Sequence, residues 1–454
     1  MKCDVVSNEE SLQNANLTRR SSIAILVVLA ITVGVGAGLL TVVFHWLIDN
    51  FHVLLFGLGD GLLRFMGKYY IILIPAIGGL LVGPLIHFLA REAKGCGVPE
   101  VMEAVALREG VIRPRVMVVK TLAAAFYIGS GGSVGSEGPV VQLGAAVGSV
   151  VGQILKVPGE ICKVLVGCGA AAGISATFNA PLAGVLFALE LILREFSTGT
   201  FSLIVISSVL ASVTSQVFLG SQPAFAVPPY SIVHSGELVL YALLGAAAAL
   251  VATVFSRVLY RTGDIWEEID FMPPYIKPAI GGLMVGALGV FFPQILGMGF
   301  DSIRAALHNQ MLPGLLIALV ALKIMATALS VGSGGSGGVF APSLYVGAML
   351  GGAFGSLVHA LYPTATGASG AYALVGMGAL FAGATQAPVT AIVMLFELTR
   401  DYQIILPLMI SCVISAIVAG CLSDETIYTT KLARRGIHLQ TKSGTGLLHS
   451  SPTP

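Results

Sequence analysis

The sequence predicts an all-α, polytopic integral membrane protein made of two helical repeats, with helices that break inside the bilayer. Composition gives the first part: of 454 residues, 56% are hydrophobic and 10% charged, where a soluble domain carries roughly 25% charged residues. Mean hydropathy is +0.90. Duplication gives the second part. Residues 75–83 (PAIGGLLVG) return as 278–286 (PAIGGLMVG), an offset of 203; Lys120 returns as Lys323, and residues 129–139 (GSGGSVGSEGP) return as 332–342 (GSGGSGGVFAP). Run length gives the third. Apolar stretches at 140–155, 164–177, 182–193 and 389–398 would span only roughly 15 to 24 Å as helices, short of a hydrocarbon core about 30 Å thick. Such helices start or stop within the membrane or cross it at a tilt.

Taken in order, residues 1–20 read as a polar cytoplasmic tail, with Arg19 and Arg20 ahead of the first apolar run at 23–47. That run is too long for a signal peptide and lacks its small-residue cleavage site, so it is expected to stay as a membrane helix. The positive-inside bias puts the N-terminus in the cytoplasm, and Lys431, Arg434 and Arg435 after the last apolar run put the C-terminus there too. The membrane domain is expected over 21–436, with repeat halves at 21–220 and 236–422, and 437–454 as a cytoplasmic tail, disordered in its Ser-, Thr- and Pro-containing end. Ala180 and Pro181, with Glu190 nine residues after the proline, match Ala387, Pro388 and Glu397 at offset 207, so residues 75–190 resemble residues 278–397 with a four-residue insertion between. Duplicated halves are characteristic of secondary transporters and related channels.

Composition also excludes several classes. The net charge is +1 and no basic stripe suggests nucleic acid. The six cysteines form no CxxC pair and the eight histidines are scattered singly, so neither disulfides, a metal site nor any other cofactor is expected.

Three glycine loops carry the chemistry: Gly95-Cys96-Gly97-Val98-Pro99, Gly135-Ser136-Glu137-Gly138-Pro139 and Gly338-Val339-Phe340-Ala341-Pro342. A glycine loop entering a helix exposes backbone amides at the positive end of the helix dipole, which receives an anion without any basic side chain. Each ends in proline, favoured in the first helical turn. Three such helix starts meeting at one point would solvate a small anion in lipid. The two copies of the duplicated loop differ in one telling way: Glu137 in the first stands where Phe340 stands in the second.

These three motifs resemble the GSGIP, G(K/R)EGP and GxFxP signatures of the CLC family of chloride channels and proton-coupled chloride transporters. The resemblance extends over about residues 23–436 and includes residues 178–187 (FNAPLAGVLF) and Tyr428. It implies two inverted halves per subunit, a homodimer with one pore per subunit, and chloride held near mid-membrane. By the same resemblance Glu137 is the gating glutamate. Ionised, it competes with chloride for the amides; protonated, it leaves, so one group links proton uptake to anion movement. Cys96, Gly97, Gly138, the amides of Val339 and Phe340, and the Tyr428 hydroxyl would surround the chloride.

Three positions depart from the family pattern. Cys96 replaces a serine, exchanging a good donor for a weak one. Ser136 replaces the Lys or Arg beside the gate. Leu191 stands where family transporters place the inner proton glutamate, and an aliphatic side chain relays no protons; Glu190 or Glu195 are the nearby carboxylates.

Rival readings are an intramembrane serine hydrolase, from the GxSxG pattern around Ser133, a sodium-coupled solute carrier, and a fluoride exporter within the family. The GxGxxG match at 332–337 lacks a preceding strand, which rejects a dinucleotide site. The expectation is therefore chloride transport exchanged for protons through a multi-pass protein of a bacterial inner membrane, with passive chloride conduction as the alternative. Its partners would be chloride, protons, the lipid bilayer and a second copy of the chain.

Overall fold

A computed structural model describes the backbone of residues 3–438 except positions 63, 223, 226, 229, 231–233 and 235, and the side chains from residue 23 onward apart from those positions and 62 and 64. The tail expected at 437–454 falls almost wholly outside the described residues. Among the described residues the chain is helical, with two isolated backbone bridges in place of a sheet.

The first half runs α1 (Cys3–Leu62), α2 (Leu73–Leu89), α3 (Val98–Leu107), α4 (Pro114–Gly129), α5 (Glu137–Ile154), α6 (Gly159–Phe178), α7 (Pro181–Phe187) and α8 (Thr198–Leu219). The second half repeats the series: α9 (Glu237–Glu268), α10 (Lys277–Phe291), α11 (Phe300–Leu307), α12 (Pro313–Gly332), α13 (Phe340–Leu361), α14 (Ser369–Thr385), α15 (Pro388–Thr399) and α16 (Ile405–Leu422). A short α17 (Thr429–Ala433) follows. Eight helices among the described residues are long and apolar enough to span a bilayer.

The run at 164–177 underestimates its helix. Small and polar residues such as Gly159 and Lys163 continue α6 to 20 residues, enough to cross. The short reading holds for α7, which passes into a π-turn at Ala188–Leu193, and for α15 at 12 residues.

Reciprocal contacts show how the halves are related. A Cβ placed on Gly79 would meet the Pro278 carbonyl at 2.1 Å, and one on Gly282 would meet the Pro75 carbonyl at 2.2 Å. Gly83 lies against Tyr275 and Gly286 against Ile72, so α2 and α10 run antiparallel and pack backbone to backbone. Each contact has its mirror at the repeat offset, which requires a two-fold axis across these helices. A helix and its antiparallel copy cross a membrane in opposite directions, so the two halves are inverted. The buried core is continuous through both halves and gathers Cys96, Val339, Phe340, Leu191 and Tyr428 into one cluster.

Candidate functional site

The site is built where three loops lace together. Gly135 and Gly338 exchange two backbone hydrogen bonds, Gly135 N to Gly338 O at 2.8 Å and Gly338 N to Gly135 O at 2.6 Å. The Gly337 amide donates to Gly95 O at 3.3 Å. Two or three residues later these loops become α5, α13 and α3, so the N-termini of the three helices point into one place. Glycine is required there. Gly97 adopts φ +92°, and a Cβ on Gly138 would sit 2.0 Å from the Cys96 carbonyl and 3.0 Å from the Gly338 Cα.

Glu137 opens α5 with its side chain 1% exposed. Its Oε2 accepts from the Ala341 amide in the first turn of α13 at 3.3 Å, and Oε1 has no hydrogen-bond partner. The carboxylate of one half thus takes an amide donor of the other, Ala341, one residue beyond the Val339 and Phe340 amides expected from sequence. Lys323 is close enough to act on it electrostatically. Phe340 fixes the start of α13 by packing its ring on Phe178 at 5.4 Å and Phe381 at 4.6 Å.

Tyr428 precedes α17 and is 2% exposed, within electrostatic reach of Cys96 and Glu137. Its segment is held by the Ile427 amide on Ala384 O at 2.9 Å and by the Tyr260 hydroxyl on Ile427 O at 2.6 Å. Cys96 is buried beside Gly97 at the start of α3. Ser136 is fully buried, its hydroxyl unpartnered. Leu191 lies in the π-turn, 6% exposed, among apolar neighbours. Glu195 is exposed, just after that turn.

Glu190 is committed elsewhere. Its carboxylate accepts from the Thr390 amide at 2.7 Å and hydroxyl at 2.6 Å, capping α15, while Glu397 accepts from Leu182 and Ala183 at 3.1 and 2.7 Å, capping α7. Each half caps a helix of the other. Two lysines, noted in sequence only as a repeat, also find a role. Lys120 donates to Ala93 and Gly95 carbonyls at 3.1 and 2.6 Å, and Lys323 to Ile295 and Gly297 carbonyls at 2.9 and 2.7 Å. Both are fully buried, and burying an ammonium costs several kcal/mol unless it is hydrogen-bonded. An ionisable residue recurring in apolar helices was the signal available for them. Ser133, the serine of the hydrolase pattern, is buried and its hydroxyl has no hydrogen-bond partner; no general base reaches it.

The sequence pattern of the family described as voltage gated chloride channel matches residues 78–420. The chain belongs to the CLC family. A ClcB-like protein of Ralstonia nicotianae, named as a chloride channel protein, is 35% identical over 409 residues, covering 88% of this chain and 95% of that protein. The H(+)/Cl(-) exchange transporter ClcA of Salmonella paratyphi B is 36% identical over 359 residues, covering 77% and 75%. The crystal structure of a slow cyanobacterial Cl-/H+ antiporter superposes with a TM-score of 0.84 at 27% identity, covering 90% of this chain and 97% of that one. As a CLC protein the chain is a multi-pass integral membrane protein, and its relatives' names describe channels and transporters.

Proposed function

We propose that this CLC protein exchanges chloride for protons, with Glu137 as the group that carries the proton and yields its place to the anion. The observation that carries this reading is the bond from the Ala341 amide to Glu137 Oε2, with Oε1 unpartnered. An ionised carboxylate seated on helix-start amides blocks them; on protonation its hold weakens and an anion takes over the donors. The exchanger and antiporter relatives support the same reading. Chloride would lie among Cys96, Gly97, Gly138, Val339, Phe340 and Tyr428.

Passive conduction is the second reading, favoured by the buried aliphatic Leu191 and by the Ralstonia relative named as a channel. The protein would act as a homodimer in a bacterial inner membrane with both termini in the cytoplasm, in line with Arg19 and Arg20 before the first apolar run and Lys431, Arg434 and Arg435 after the last.

In proteoliposomes, Glu137→Gln is expected to keep chloride flux while proton flux disappears. Proton flux equal to wild type in this variant would remove Glu137 from the role.

A further inference from the structure

Replacement of the inner carboxylate by Leu191 raises the question of where a proton enters. A cavity of about 200 Å³, large enough for several waters, lies beside α3 and is lined by Glu100, Glu103, Gln142, Arg108, Arg113 and Arg435 among others. Its charges sort themselves. Arg108 and Arg435 bind the two oxygens of Glu103 at 2.5 and 3.0 Å, and Arg113 pairs with Glu92 at 3.2 Å. Arg91, the remaining arginine of the wall, is solvent-exposed. Lys431 is ion-paired with Glu100 Oε1.

What is left unmet in the buried wall is a pair of acceptors. Glu100 Oε2 and Gln142 Oε1 are buried without a hydrogen-bond partner, and Gln142 is 2% exposed. Two unsatisfied acceptors call for a donor, which is water or a hydrated proton and not an anion. Glu103, by contrast, has both oxygens paired with guanidinium groups.

The cavity wall at Gln142 also lies close to the start of the helix that carries the gate. The point where Gly97 would carry a Cβ is 2.9 Å from Gln142 Oε1 and 2.8 Å from the carbonyl of Gly138, the residue after Glu137. Along α5, Gln142 follows Glu137 by five residues, about 7.5 Å of helix. The π-turn that holds Leu191 packs against α3, the helix that carries Glu100.

We propose that Glu100 is the inner proton-transfer residue of this chain, taking protons from water in the cavity and passing them by way of Gln142 to Glu137. The inference rests on the exchange reading. A hydrated proton in the cavity protonates Glu100 Oε2 and becomes water; the same oxygen then releases the proton to the next water, which Gln142 Oε1 orients by accepting from it, and the proton ends on Glu137 Oε1. Glu100 is neutral in transit and Lys431 keeps its proton. Lys120 from α4, the Cys96 thiol and the Tyr260 hydroxyl from α9 also face Glu100 electrostatically.

The test is simultaneous recording of chloride and proton flux in proteoliposomes holding wild type, Glu100→Gln or Gln142→Leu. The second variant leaves the Lys431 pair intact and so serves if the first folds poorly. Proton flux is expected to fall at least ~10-fold further than chloride flux in each, in line with loss of a positioned proton carrier. A wild-type ratio of the two fluxes in the variants would overturn the role of Glu100, as would equal loss of both fluxes. Absence of proton flux in wild type would instead overturn the exchange reading itself.

Discussion

Glu137 meets two demands with one side chain: a charge that amides attract and a proton that cancels it. If protonation frees the Ala341 amide, as proposed, chloride flux should rise as pH falls, and Glu137→Ala should give flux that is high and flat with pH. A retained wild-type pH response in that variant would show that another group sets it. Cys96 offers a second handle. If its thiol faces the anion, Cys96→Ser supplies a stronger donor, and the chloride-to-nitrate flux ratio should rise; an unchanged ratio would place Cys96 outside the selective contact. Both residues stood out in the sequence because their motifs sit in loops of recognisable pattern. Glu100 and Gln142 were not, since a glutamate in a first helical turn and a glutamine in a glycine-rich helix look like ordinary caps and packing until the cavity between them is seen.

The elements that hold the site are joined by bonds that cross between the halves. Glu190 on α15 and Glu397 on α7 are equivalent caps, so Glu190→Gln and Glu397→Gln should destabilise the protein alike, each by about 1 kcal/mol, in thermal unfolding in detergent. A large cost for one and none for the other would mean that the second carboxylate does something else. Lys120 and Lys323 each satisfy two loop carbonyls, and Lys323→Met should cost about 2–5 kcal/mol by leaving both unmet. Sequence revealed that these residues recur but not what they hold, because the carbonyls they bind lie 25 to 28 residues away on another element. Helix lengths were likewise only partly legible: α6 begins in polar and small residues that an apolar window excludes.

At the scale of the whole molecule, the duplication read from residues 75–83 and 278–286 becomes a two-fold axis through the α2 and α10 contact, and inversion follows from their antiparallel packing. Similarity between the copies could not supply that direction; the paired contacts at Gly79 and Gly282 do. The same axis brings Gly135 against Gly338, so the Glu137 carboxylate from one half meets the Ala341 amide from the other. Coupled exchange is the central consequence of that asymmetry. It is tested most directly by loading proteoliposomes with chloride, imposing an outward chloride gradient across a membrane otherwise at equal pH, clamping the voltage near zero, and following internal pH. The account predicts that chloride efflux drives protons inward against their own gradient, internally acidifying the vesicles until a protonophore collapses the change. Chloride efflux with no movement of protons would contradict it and leave the protein a passive chloride pathway.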